Sequence, residues 1–152
     1  MMAFQTVFKR YELKYILTLE QKKIVLEAMH PYMQLDKYGR TSIRNIYFDT
    51  ENYRLIRRSV EKPAYKEKLR IRSYERADSD STVFVELKKK YDGVVYKRRI
   101  PLCERDAMAW VCGEKPCPAK TQISREIDYF IKFYGKLLPT LFLTYEREAY
   151  FE

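Results

Sequence analysis

The tightest local constraint in this chain lies between Val83 and Leu102. There, two alternating segments flank Tyr91-Asp92-Gly93-Val94. An Asp-Gly pair between two period-two runs predicts a two-residue type I′ hairpin, because both central residues must take positive φ. The turn then fixes the register. With Tyr91 opposite Val94, Glu86 faces Arg99, Lys88 faces Lys97 and Lys90 faces Val95. On the reverse side Leu87 faces Arg98, Val85 faces Ile100 and Val83 faces Leu102. One face is apolar apart from Arg98, and the other is charged. The two strands agree in polarity once the turn is placed, which supports the register.

The rest of the chain reads around this ribbon. Phe8–Leu17 alternates and predicts a strand. Thr18 opens a capping box with Gln21, so a helix follows to about His30 and stops at Pro31. Thr41–Phe48 reads as a second strand. Asp49 and Thr50 cap a short helix over about Glu51–Ser59. Lys66–Arg76, Val83–Lys90 and Val94–Leu102 are the third to fifth strands. Helices are expected over about Glu104–Val111, stopped by Gly113, and about Thr121–Leu137, ended by Pro139. Leu141–Phe151 is a sixth strand. Three consecutive strands in the middle require antiparallel pairing, so the class is α+β rather than doubly wound α/β.

A length of 152 residues suits one domain, 1–152. Hydrophobic residues make up 46%, enough to build a core. No apolar run is long enough to span a membrane, and Met1–Arg10 lacks the apolar core of a signal peptide. Cys103, Cys112 and Cys117 are odd in number and match no zinc spacing, so a reducing cytoplasm is the expected location.

Charge says more. Thirty Lys and Arg against 21 Asp and Glu give +9. Residues 66–99 hold eleven basic and six acidic side chains, which places +5 of that excess in 34 residues. Such a balance implies an anionic partner. Lys66, Lys68, Arg70 and Arg72 share one parity of their strand, and Leu69 and Ile71 take the other. The first strand adds Arg10, Glu12 and Lys14, and the last adds Tyr145 and Arg147. These faces are either a solvated surface or, if the sheet curls, the wall of one basic cavity. Lys88 directly opposite Lys97 favours the cavity, because that like-charge pair calls for a shared anion. Arg suits bidentate phosphate contacts and Lys acts as a point charge. Arg72 is expected to hold charge to spare, since Glu86 is expected to be engaged by Arg99. A nucleic-acid-binding sheet would interleave aromatics among the basic residues. Strands three to five place only Tyr74 and Phe84 on that face, so nucleic acid is not the expected partner.

Five segments carry a resemblance: Arg-Tyr-Glu-Leu-Lys-Tyr (10–15), Ile-Tyr-Phe-Asp-Thr (46–50), Lys-Glu-Lys-Leu-Arg-Ile-Arg-Ser-Tyr (66–74), Val-Phe-Val-Glu-Leu-Lys (83–88) and Thr-Tyr-Glu-Arg-Glu-Ala-Tyr (144–150). In this order they resemble the VTC domain, the polyphosphate polymerase branch of the CYTH-like triphosphate tunnel metalloenzymes. The resemblance implies an eight-stranded antiparallel tunnel that takes the terminal phosphate of ATP or another NTP onto polyphosphate, with Mn²⁺ or Mg²⁺. It implies catalytic roles for Lys14, Arg70, Arg72, Lys88 and Arg147. Lys68, Lys97 and Arg99 are then phosphate-binding residues, and Glu12 and Glu86 metal ligands. Where the wider superfamily has Glu-x-Glu-x-Lys, this chain has Arg10-x-Glu12-x-Lys14, so one carboxylate is replaced. Six of the eight strands are visible, and the domain is expected to lack the last two.

Phosphoryl transfer needs mainly positioning and charge neutralisation. An ionised phosphate acceptor needs no general base, which suits a chain with one His. His30 is expected at a helix end, the cysteines as packing residues, and Trp110 with Met108 as helix packing. Two alternatives remain at this level: a tunnel-type triphosphatase, with water as acceptor, and a non-catalytic polyphosphate- or nucleotide-binding module.

Overall fold

A computed structural model describes residues 5–152. Residues 1–4 of the expected domain, and that part of the Met1–Arg10 reading, lie outside the described residues. The elements run β1 (Val7–Tyr11), α1 (Leu19–Met29), β2 (Gln34–Leu35), β3 (Thr41–Asp49), α2 (Arg54–Val60) and β4 (Tyr65–Ser73). They continue with β5 (Thr82–Tyr91), β6 (Val94–Cys103), α3 (Glu104–Val111), α4 (Gln122–Tyr134), β7 (Leu138–Arg147) and β8 (Tyr150–Phe151). Six strands form one antiparallel sheet in the order β1-β6-β5-β4-β3-β7. The α+β class holds.

The hairpin has the expected turn and register. Asp92 and Gly93 take φ of 44° and 80°, and Tyr91 pairs with Val94, Glu86 with Arg99 and Lys88 with Lys97. Alternation then sorts the two faces. Leu69, Ile71, Val83, Val85, Leu87 and Ile100 are buried with Ala107, Trp110 and Val111 of α3 and Ile127 and Phe130 of α4. Arg98, the charged residue on this face, meets Glu126 of α4 at 3.4 Å. Trp110 packs in this layer and donates its indole N–H to Asp128 at 2.7 Å. Helices α3 and α4 thus cover one side of the sheet and leave the charged side free.

Several boundaries move, each for a local reason. The first strand stops at Tyr11 rather than Leu17, because its partner β6 begins at Val94 and Tyr11 opposite Val94 is the last pair. Residues 12–18 therefore leave the sheet and lead to Thr18, whose capping box with Gln21 forms as expected. The helix after Asp49 begins at Arg54, not Glu51, since Tyr53 takes a left-handed φ of 58°. Asp49 still caps it from across the loop. Its Oδ1 accepts from the backbone N–H of Leu55 and its Oδ2 from that of Ile56, both at 2.9 Å. Strand β4, the third expected from the sequence, ends at Ser73 instead of Arg76, where the Ser73 hydroxyl donates to the Glu75 carbonyl at 2.7 Å. Helix α4 ends at Tyr134 rather than Leu137, stopped by Gly135 with φ of 78°, and Pro139 lies inside the following strand. The last strand divides at Glu148, and β8 pairs with β2 in a separate two-stranded sheet. That pair is only two residues long, so alternation could not announce it.

Asp49→Ala should lower stability by about 1–3 kcal/mol, because it strips the acceptors of two N–H groups at the start of α2. Urea unfolding measures this, and an unchanged midpoint would show that the cap contributes nothing.

Candidate functional site

The uncovered face of the sheet is concave. Its curvature brings the β1 side, with Phe8, Arg10, Glu12 and Lys14, and the β7 side, with Tyr145 and Arg147, onto one cleft of about 970 Å³. Between them the floor is built by every second residue of β4, β5 and β6. Lys14, Lys68, Arg70, Arg72, Lys88, Lys97, Arg99, Arg147 and Glu12 all line this cleft. Glu86 does not, because its side chain lies wholly beneath the floor.

Glu86 organises what lies above it. Its Oε2 accepts from Nε of Arg70 at 2.8 Å and lies 2.6 Å from Nη2 of the same guanidinium. Nε of Arg72 approaches at 3.8 Å, and Nζ of Lys97 lies 3.6 Å from Oε1. Burial alone would raise the Glu86 pKa, but attraction to Arg70, Arg72 and Lys97 reverses the sign and holds it low. Burial would likewise lower Arg70, yet Glu86 and then Tyr47 hold it above the usual arginine value. Arg70 also donates to the Tyr47 hydroxyl at 2.8 Å. Lys97 has no such surplus. Desolvation pushes it down to about 8, with Glu86 opposing and Arg99, Arg72 and Arg70 assisting.

Three expectations need correction. Glu86 faces Arg99 in register, yet the two form no ion pair. Arg99 instead donates to the Gln5 carbonyl at 2.6 Å and the Tyr74 hydroxyl at 3.3 Å, and stacks on Phe8 and Phe84. Arg72 keeps uncancelled charge, but it is not a free clamp, because neutral partners already hold it in place. It is 6% exposed and donates to Oδ1 of Asn45 at 2.9 Å and to the Tyr145 hydroxyl at 3.0 Å. The opposed Lys88 and Lys97 each have a carboxylate within 4 Å, although Lys97 shares its one with Arg70 and Arg72. Lys88 donates to Oε2 of Glu12 at 2.7 Å, and Lys97 has Glu86. That bond from Lys88 is the main reason the Glu12 carboxyl titrates low.

Sequence reading missed Asn45 and Tyr47 as guanidinium partners. Their signal was parity: Asn45 opposes Arg72 and Tyr47 opposes Arg70 across β3 and β4. Pairing of β3 with β4 was not specified by any short turn. His30 is exposed at the C-terminus of α1, and the three cysteines are free thiols away from the cleft lining.

The carboxylates differ in their fitness to hold a divalent cation. Glu12 lines the cleft but is held by Lys88 at 2.7 Å with Arg10 3.9 Å away, so it would hold a divalent cation only with a bound polyanion that engages those two cations. Glu86 does not fit that role, being buried under three cations that would repel a metal ion. Among the described residues there is no cluster of three or more His, Cys, Asp or Glu that could hold a metal. Among the same residues no helix is long and apolar enough to cross a membrane.

Comparison with known proteins supplies a lineage. The family model described as the VTC domain matches residues 9–152. A Bacillus halodurans protein provisionally named an adenylate cyclase has a crystal structure that matches with a TM-score of 0.52 and 18% identity, over 91% of this chain and 62% of that one. A Vibrio parahaemolyticus protein, also provisionally named an adenylate cyclase, gives a TM-score of 0.42 and 9% identity, over 97% of this chain and 63% of that one. This chain therefore spans less than two thirds of the length of these two structures. No curated protein sequence matches it.

Arg72→Ala should destabilise the fold by roughly 2–3 kcal/mol, since it strands Asn45 and Tyr145 and weakens the balance around buried Glu86. Thermal and urea melts without ligand measure this. A wild-type midpoint would show that Arg72 is free to serve only a ligand.

Proposed function

The chain belongs to the VTC domain family, and on that premise we propose that its cleft binds triphosphate or short polyphosphate and transfers the terminal phosphate of a nucleoside triphosphate to a polyphosphate chain. One observation carries this reading. Eleven cations share a concave face with one accessible carboxylate, Glu12: Arg10, Lys14, Lys66, Lys68, Arg70, Arg72, Lys88, Lys90, Lys97, Arg99 and Arg147. A monoanion would leave most of them uncompensated, whereas a polyanion neutralises several at once.

The residues divide the work. Arg70 is pinned by Glu86 and Tyr47, so its remaining N–H groups can meet phosphate oxygens without further ordering. Lys68 is half-buried, and desolvation holds its pKa below the usual lysine value. It has no carboxylate partner among the described ion pairs, so an arriving phosphate supplies its counter-charge. Lys14 and Arg147 stand on the walls and Lys88 on the floor, where they can hold the donor and acceptor ends in line. A terminal phosphate oxygen of the acceptor attacks the γ-phosphorus, the bond to the β-bridging oxygen breaks, and a nucleoside diphosphate leaves. Mn²⁺ or Mg²⁺, held by Glu12 and phosphate oxygens, would supply neutralisation of the charge that develops on the transferring group.

Binding without turnover is the second reading, and the sequestration of Glu86 favours it, because it leaves Glu12 as the accessible carboxylate. Incubation with ATP and Mn²⁺, followed by gel staining for polyphosphate and an assay for free phosphate, separates the readings. Long polyphosphate supports transfer. Free phosphate alone identifies a triphosphatase, and neither product with tight binding identifies a binding module.

The pH dependence of binding follows from Lys97. As pH rises through about 8, Lys97 loses its proton and the cleft loses one cation. Tripolyphosphate affinity should therefore fall from about pH 7 to about pH 9, and Lys97→Met should flatten that slope. A wild-type affinity that is level over this range would contradict the role of Lys97. For stability the sign is opposite. The unfolded chain binds the Lys97 proton more tightly, so this group's cost is present below about 8 and is relieved as pH rises toward the ordinary lysine value.

A further inference from the structure

We infer that two copies of this chain associate through the outer edge of β7, strand against strand and antiparallel, about a two-fold axis at Phe142. The inference does not depend on what the cleft binds.

The two edges of the six-stranded sheet differ in how they are protected. Strand β1 is five residues long, and its sequence Val-Phe-Lys-Arg-Tyr carries two cations. Short length and charge both discourage an added strand. Strand β7 is ten residues long and, among the described residues, pairs with β3 alone. All ten residues are exposed, including Leu141, Phe142 and Leu143 at 54%, 61% and 41%. From Thr140 to Tyr145 the strand has no charge, glycine or proline. An uncharged edge built from threonine, leucine and aromatic residues is a template for another strand.

The sequence of β7 says which strand fits it. Thr140-Leu141-Phe142-Leu143-Thr144 reads the same in both directions. Antiparallel pairing of two identical strands centred on Phe142 sets Phe142 against its own copy, Leu141 against Leu143 and Thr140 against Thr144. Every opposed pair is then like with like, and such aromatic, aliphatic and hydroxyl pairs stabilise a ladder. A two-fold interface requires this self-complementarity of one surface patch. Moving the centre to Thr144 would instead set Glu146 against Phe142 and Arg147 against Leu141, charge against apolar groups. The register of β7 on β3 shifts at Thr140, since Tyr47 meets Leu141 and Phe48 meets Pro139. That bulge lies at the margin of the palindrome and leaves Leu141, Phe142 and Leu143 in regular pairing. Opposed residues point to one side of a sheet, and Leu143 lines the cleft. The leucine pairs therefore fall on the cleft side and the phenylalanine pair on the other. The two clefts then open on the same side of one continuous sheet.

Sedimentation equilibrium from about 1 to about 200 µM should show a monomer–dimer equilibrium, the strength a small interface gives. Phe142→Lys should weaken the dimer about tenfold or more, because it opposes two like charges at the axis. Ile24→Lys adds the same charge to an exposed apolar residue of α1 and should leave the dimer unchanged within about twofold. Disulfide trapping reads the register and does not require the Phe142→Lys variant to fold. Phe142→Cys opposes its own copy with Cα atoms within about 5.5 Å, close enough to bridge, whereas Thr144→Cys lies about 13 Å from its own copy. Phe142→Cys should therefore crosslink rapidly under mild oxidation, above the background from Cys103, Cys112 and Cys117, and Thr144→Cys should stay at that background. A chain that stays monomeric over this range overturns the inference. So does a folded Phe142→Lys variant that dimerises as tightly as wild type, or crosslinking at Thr144 that equals that at Phe142.

Discussion

A buried carboxylate holds this cleft together. Glu86 sits with no solvent exposure under Arg70, Arg72 and Lys97, and each of those cations is itself largely buried. Isolated, each would be costly to desolvate, and together they would repel one another. One carboxylate cannot cancel three cations, so the floor keeps a net positive charge while gaining fixed geometry. That combination is what an anion site requires: donors ordered before the ligand arrives, and a field the protein does not quench itself. The tyrosine and asparagine partners on β3 and β7 complete the ordering without cancelling charge.

The fold serves this arrangement by separating its two faces. Leu69, Ile71, Val85 and Leu87 go under α3 and α4, so the intervening Lys68, Arg70, Glu86 and Lys88 must emerge on the other side. Local alternation was enough to read this. The Asp92-Gly93 turn set the register, and with it the placement of Lys88, Lys97 and Arg99. Even the exception, Arg98, is resolved by a helix partner in Glu126.

What the sequence hid was tertiary. No local pattern says that β3 lies between β4 and β7, so Asn45, Tyr47 and Tyr145 could not be seen as guanidinium partners. Register also names which side chains oppose, not which ones bond. Glu86 and Arg99 are opposite, yet the longer Arg99 side chain reaches the Gln5 carbonyl and the face of Phe84 instead. The early end of β1 was likewise set by its partner, since the hairpin turn leaves Tyr11 with nothing further to pair. Where geometry came from a neighbouring residue it was legible, and where it came from a distant strand it was not.

The central claim is that the cleft is a preformed polyanion site under its own electrostatic repulsion. The most direct measurement is thermal melting with tripolyphosphate against sodium chloride at matched ionic strength, with orthophosphate as a third arm. The account predicts that tripolyphosphate raises the melting temperature well beyond the chloride control and beyond orthophosphate, because one ligand relieves several repulsions at once. Coincident melting temperatures in all three would contradict it, and the cleft would then be a solvated charged surface.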